Sequence, residues 1–455
     1  MKRISFPLLV ASSLFLATIA FSETRPHYGG TLHVAIRDAP LSLDPSEIAR
    51  AHGQTSANLA SLLFDTLTRV DERGQLQPGL ARSWQADSGN RRWRFVLRTG
   101  VTFSDGKPLT ADSVVASLKA INAGWKIFSE AGAVIVEGES PAPYLPAQLA
   151  LPRNGIAKRD GGKELGTGPF VVSQWLPSKH LTAAAREDYW GGRPFLDSIE
   201  IEMGESLRDQ MIALDLGKAQ LIEIAPEKAR SAGIEDREVS KSAGTEMMAL
   251  VFSRPCESAQ EQYLRDAFSL SIDRESLNKV VLQGEGDPTG GLLPDWMTGY
   301  EFIFPAQMNL TRAREERSQV QHAPVWTLKF DPNDPVENIV AQRIVLNANE
   351  AGLRLQLSTG SASDLRLVRL PLASLDVHVA LDELATALGL PQPQYATDSL
   401  EDVYSAEKAL LDSHRVIPLL RSPREWGVAG TVRNLAMSRD GTWQLPNAWI
   451  SPGKP

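Results

Sequence analysis

The stretch WRFVLRTGVTFSDGKPLTADSVVASLKAI, residues 93–121, decides how the rest of the chain is read. Trp93, Phe95 and Leu97 alternate with Arg94, Val96 and Arg98, the period-two pattern of a strand with one buried face. Ser104-Asp105-Gly106-Lys107 then supplies turn chemistry, because Gly accepts positive φ and Asp bonds its own backbone. Thr110 predicts an N-cap, and Asp112 would meet the positive end of a helix dipole. A helix is expected from there, with Ala111, Val114, Val115, Leu118 and Ile121 forming one buried stripe. No catalytic group stands out.

Outward from this unit, the composition sets bounds. At 455 residues the chain exceeds one ordinary core, so two or more domains are expected. Hydrophobic content of 42% and charged content of 22% are those of a soluble globular protein. A net charge of -8 argues against nucleic acid or an anionic membrane as the main partner. Lys2 and Arg3 precede an apolar run over residues 6–21, and Ala20-Phe21-Ser22 offers small residues where a signal peptidase cuts. Residues 1–22 are therefore expected to be a secretory signal peptide. Cys256 is the single cysteine, which rules out an internal disulfide and reads as a structural thiol.

The wording LRTGVTFSDGKPLTADSVVASL, residues 97–118, closely resembles the most recognisable segment of the family 5 extracellular solute-binding proteins, the dipeptide and oligopeptide receptors of ABC importers. Matching segments recur in the family's order: GGTLHVAIRDAPLSLDP (29–45), LLFDTLTRVD (62–71), LQPGLARSW (76–84), GTGPF (166–170), REDYWGGRP (186–194), LRDAFSLSIDRESLNKVVLQG (264–284) and DPTGGLLP (287–294). The resemblance implies a two-lobed α/β periplasmic-binding-protein fold of class II, cluster C type, with an extra subdomain in the first lobe and a hinged ligand cleft. The divisions it suggests are 23–47 for the first segment of lobe I, 48–165 for the subdomain, 166–246 for the second segment, 247–424 for lobe II, and 425–455 for the return to lobe I. Crossovers are then expected near Ile48, Leu165, Glu246 and Glu425.

Local expectations follow. The Pro-Gly pair at 78–79 predicts a turn before a short helix, and residues 139–160 an irregular, packed extension. Ile272-Asp273-Arg274-Glu275 is a helix junction with Asp273 as N-cap, and the acids of 331–334 start a helix rather than bind calcium. Relatives place an acidic residue where Gln220 stands.

As ligand contacts the resemblance implies Asp38, Ala39, Pro40 and Leu41 after the first strand, and Trp296 beyond a proline-bounded loop. Trp125, past the end of the 111–121 helix, is added as an aromatic able to project into a cleft. In the region 375–394, LDVHVALDELATALGLPQPQ, peptide receptors carry a tryptophan and an acid that pairs with the ligand's amine; this chain offers Asp376 and Asp382 and no tryptophan.

No G-x-S-x-G elbow, H-E-x-x-H, C-x-x-C or dinucleotide fingerprint is present, and the 7 histidines are scattered. The expectation is a non-catalytic periplasmic receptor without cofactor or metal, monomeric, without a lipid-anchor cysteine. It would take a short peptide or similar small solute to an inner-membrane ABC permease. Rival readings are a chaperone or sensor derived from such a receptor, and a secreted hydrolase with a dispersed site.

Overall fold

A mixed sheet of 11 strands forms the spine of the molecule. The computed structural model describes residues 26–45, 47, 54–122, 124–224, 237–360 and 362–451. The expected signal peptide and the crossover near Ile48 lie outside the described residues.

Five strands make one half of the spine: Phe170–Leu176, His180–Ala185, Ser198–Glu202, Thr31–Ala35 and Leu221–Ile224. The other half contains Leu365–Pro371, Val325–Lys329 and Arg354–Ser358. Two long antiparallel strands, Arg237–Phe252 and Val416–Ala429, join them. Leu221 to Ile224 pair with Val428 to Glu425, whereas Glu246 to Phe252 pair with Pro371 to Leu365. Between these zones the register slips around Gly244, which lies opposite Pro423. A Pro has no N–H to give a ladder and Gly adds no side chain, so pairing is weakest where the chain passes between halves.

Alternation along the joining strand covers both faces of the second half. Met248, Leu250 and Phe252 pack with Phe268, Trp326 and Ile344, while Met247, Ala249 and Val251 pack with Leu381, Leu384 and Val403. This is the period-two geometry of a strand buried on both sides, which requires helices on each face. In the first half Leu32, Val34, Ile199 and Phe170 share a core with Trp426 and Trp443, so the return segment completes it.

The opening unit folds as its pattern predicts. The strand Arg92–Leu97 buries Trp93, Phe95 and Leu97, and the helix Ala111–Ile121 starts at Thr110, whose side chain forms a capping box with Ser113. Val114 and Leu118 are fully buried, with Ala111 and Val115 packed beside them, whereas Ile121 at the helix end is only partly buried. The strand lies in a separate four-stranded antiparallel sheet with Ala81–Ala86, Ala133–Glu137 and Lys126–Glu130.

The short helix expected after the 78–79 turn is not there. Leu76–Pro78 and Ala81–Ala86 are strands, and Trp84 pairs with Phe95. Pairing satisfies the open edge of the Arg92–Leu97 strand, a gain no local helix would offer. The extension after residue 138 holds a helical turn Leu145–Gln148, a 3-10 turn Pro152–Asn154 and a hairpin Ala157–Asp160 with Lys163–Gly166. Asp273 caps its helix by accepting from Ser276 N at 2.9 Å, and Asp334 caps Pro335–Glu350. Gln220 replaces the acid of relatives without losing the acceptor: its Oε1 takes the His33 N–H at 2.7 Å.

Several segments that carry the family wording converge on one carboxylate. Asp65 accepts from Trp190 Nε1 at 2.7 Å, Tyr189 OH at 3.0 Å and Thr167 Oγ1 at 3.1 Å. Burial raises its pKa, and these neutral donors pull only part of the way back. Beside it the buried Arg186 donates to Thr102 Oγ1 at 2.8 Å and Phe103 O at 3.2 Å, tying in the opening stretch.

Candidate functional site

A cavity of about 870 Å³ lies where the subdomain, the return segment and the second half meet. Phe64, Arg69, Arg98 and Arg153 line it from one side, Leu372, Ser374 and Glu383 from another, and Ser438, Trp443 and Asn447 close the third. Arg153 and Glu383 pair across it as a fork, with Nη2 to Oε1 at 2.5 Å and Nη1 to Oε2 as the second arm. A bidentate pair fixes orientation as well as distance.

Arg98 and Arg69 stand over the Trp190 ring, their guanidinium carbons 4.8 and 5.7 Å from its centroid. Each is anchored by a backbone carbonyl, Arg98 Nε to Gly79 O at 2.6 Å and Arg69 Nη2 to Pro78 O at 3.2 Å. Gly79 must be bare: an added Cβ would sit 2.5 Å from Thr66 O. Among the described residues neither arginine has an ion-pair partner within 4.0 Å, so both guanidiniums can meet an acidic group, in a lining that also holds Asp65, Asp71 and Glu72.

The floor of the cavity abuts the joining strands. Leu372 N donates to Thr245 O at 2.7 Å, and Glu246 lies opposite Pro371. Glu246 accepts from Arg369 Nη2 at 2.6 Å and meets Arg424 Nη2 at 3.2 Å, while Arg369 Nη1 reaches Asp334 at 2.9 Å. Burial would raise the Glu246 pKa, but Arg369 and Arg424 outweigh it and hold it at about 2.

The residues expected from the sequence lie elsewhere: none of the eight lines this cavity. Ala39 and Pro40 are tied through their carbonyls to Ser178, by Oγ at 3.0 Å and N at 3.0 Å, which turns Asp38 to Leu41 toward the neighbouring hairpin; Leu41 is 78% exposed. Trp125 packs against the subdomain core. Trp296 packs against the second-half core, with the Arg439 guanidinium 5.7 Å from its ring centroid.

Asp376 and Asp382 do come together, in a contact between subdomain and second half. Asp376 is the N-cap of Val377–Leu388, accepting from His378 N at 3.1 Å and Val379 N at 3.0 Å. The Tyr144 ring from the subdomain stacks on His378 at 3.9 Å, and Tyr395 OH donates to Asp382 at 3.0 Å. Burial raises both acids, Asp382 to about 6. Helical spacing sets the two neighbours apart: Asp382 faces Tyr395, and the next residue, Glu383, faces the cavity. Arg153 was detectable as a lone charge within an apolar, proline-bounded run.

The family model described as bacterial extracellular solute-binding proteins, family 5 middle, matches residues 75–397. The chain belongs to this family. Family 5 proteins are solute-binding receptors of ABC importers, found outside the cytoplasmic membrane, and not catalysts. Among relatives, the uncharacterized protein YhjP of Bacillus subtilis (strain 168) is 29% identical over 342 residues, 71% of this chain and 55% of that protein. The oligopeptide-binding protein AppA of the same organism is 22% identical over 299 residues, 58% of this chain and 54% of its own length. The chain thus spans about half the length of these curated relatives. The crystal structure of NikA from Staphylococcus aureus in complex with Ni(L-His)2 superposes with a TM-score of 0.77 at 18% identity, covering 92% of this chain and 100% of that one. The likeness shows the family 5 fold. Among the described residues no helix is long and apolar enough to cross a membrane, and no cluster of side chains is set to hold a metal ion.

Proposed function

We propose that this family 5 protein captures a short peptide or a similarly sized small organic solute in the 870 Å³ cavity and delivers it to an inner-membrane ABC permease. It would act as a monomer in the periplasm, after removal of the N-terminal signal. The observation that carries this reading is the Arg153–Glu383 fork, which joins two walls belonging to halves connected by a slipped strand pair. Contacts made only when the walls meet favour the closed form, and a solute touching both walls adds to them. An acidic group on the solute would face Arg69 and Arg98. AppA is named for oligopeptides, and NikA was solved with a nickel–histidine complex, so both chemistries belong in the test.

The test is calorimetry and thermal-shift screening of the purified chain against di- to pentapeptides, sugars and metal–histidine complexes. A ligand of the native state must raise the Tm. We expect a short peptide to do so, and Arg153→Ala to weaken it about tenfold, the order of one charge-assisted contact of ~1.4 kcal/mol. If no compound class shifts the Tm, the receptor reading fails.

A further inference from the structure

The second half holds another cavity, of about 310 Å³, sharing no lining residue with the first. It lies between the helices Ala259–Ser271 and Leu400–Leu411, the start of the strand Val416–Ala429 and the loop at 303–305. Its charges are almost all matched. Asp266 pairs with His414 at 2.9 Å, Lys408 pairs with Asp412, and Arg265 pairs with Glu261.

Arg274 is the exception. It is 2% exposed, and its guanidinium meets only neutral acceptors: Nε donates to Pro418 O at 2.8 Å, Nη1 to Ser269 O and Ala306 O at 3.3 Å, and Nη2 reaches Ser269 Oγ at 3.5 Å. Among the described residues no carboxylate lies within ion-pair distance of it. Burial alone pushes its pKa down to about 10, which leaves it charged at neutral pH. A buried cation held only by carbonyl dipoles stays uncompensated, and an anion brought to it gains most of its Coulomb energy away from water. The Nη2 edge and Ser269 are the least saturated part of this arrangement, and both residues line the cavity. The remaining wall is apolar and aromatic: Phe304 and Tyr404 stack at 5.5 Å, and Ile417 is buried beside them.

We propose that this cavity is a second binding site, separate from the inter-lobe cleft, for a small organic carboxylate. The carboxylate meets the Arg274 guanidinium and the Ser269 hydroxyl, and the hydrocarbon body lies against Phe304, Tyr404 and Ile417. A planar guanidinium fork suits a carboxylate, and the apolar wall selects an organic acid over an inorganic oxyanion.

Titration of the full purified chain with benzoate and isovalerate tests this, with inorganic phosphate at matched ionic strength as control. The expected result is saturable binding of one of the acids that raises the Tm, with phosphate at least tenfold weaker. Ser269→Phe, which puts a ring into the cavity without removing the buried cation, should weaken the acid at least tenfold. Arg274→Lys, which keeps the charge and loses the fork, should weaken it too. Arg153→Ala, on the other cavity, should leave it unchanged. The proposal is overturned if neither acid saturates, if phosphate binds equally well, or if Arg153→Ala rather than Ser269→Phe abolishes binding. Peptide screening on Ser269→Phe, whose cleft is intact, separates failure here from failure of the receptor reading.

Discussion

Asp65 and Glu246 are both carboxylates drawn out of bulk water, and the protein treats them in opposite ways. Asp65 sits among the neutral donors Trp190, Tyr189 and Thr167, and burial raises its pKa. Glu246 sits between Arg369 and Arg424, which override its burial and hold its pKa at about 2. The first joint lies within one half and is built of directional bonds to rigid rings. The second lies at the slipped strand pair, where opposite charges attract over a range of distances and directions. Short neutral bonds suit a seam that stays shut, and long-range charge suits one that bends.

The largest effect is expected at the slipped strand pair. Glu246→Ala leaves two guanidiniums partly uncompensated and should cost about 4 kcal/mol, read by urea unfolding; a loss under about 1 kcal/mol would mean that Asp334 alone holds Arg369. The same carboxylate should show in acid. Its folded pKa lies below the ordinary 4.5, so its stabilising share is present above that pH and is lost as pH falls toward about 2. Melting curves of Glu246→Gln should lack that limb.

Next comes the rigid joint. Asp65→Ala orphans three donors and should cost about 3 kcal/mol. Its pH signature has the opposite sign. With a pKa raised above 3.8, the folded chain holds the proton that the unfolded chain releases, so this share of stability declines as pH rises through that interval. If Asp65→Asn melts with the same pH dependence as the parent chain, the contrast between the two joints collapses. The smallest expected effect is at Asp376, whose backbone cap is worth about 1 kcal/mol; Asp376→Ala should lower the Tm slightly and leave ligand affinity within twofold, while Asp376→Ser restores the melt. A large loss of affinity would return this acid to the binding site.

The legibility of the sequence was uneven for physical reasons. The strand–turn–helix at 93–121 rests on period and capping, which are local, and the helices capped by Asp273 and Asp334 rest on the same chemistry. The 81–86 segment is a strand where a helix was expected because its partner strand is the deciding contact, and that pairing is invisible in a short window. The cavity was least legible. Ligand-facing roles for Asp38 to Leu41 and Trp296 came from resemblance, whereas the cavity is lined by Arg69, Arg98 and Glu383, each unremarkable beside its neighbours in the chain, and by Arg153, the lone charge of an apolar run.

By itself, the sequence determined the class of protein and those secondary elements that rest on local signals, because periodicity, capping and segment wording act over a few residues. Only the tertiary structure decided which charges meet. Arg153 and Glu383 stand 230 positions apart, Asp65 and Trp190 stand 125 apart, and Arg274 meets no acid among the described residues for the same reason that these pairs have their partners. An ion pair or its absence is set by where separate elements pack, and burial then fixes what that charge is worth.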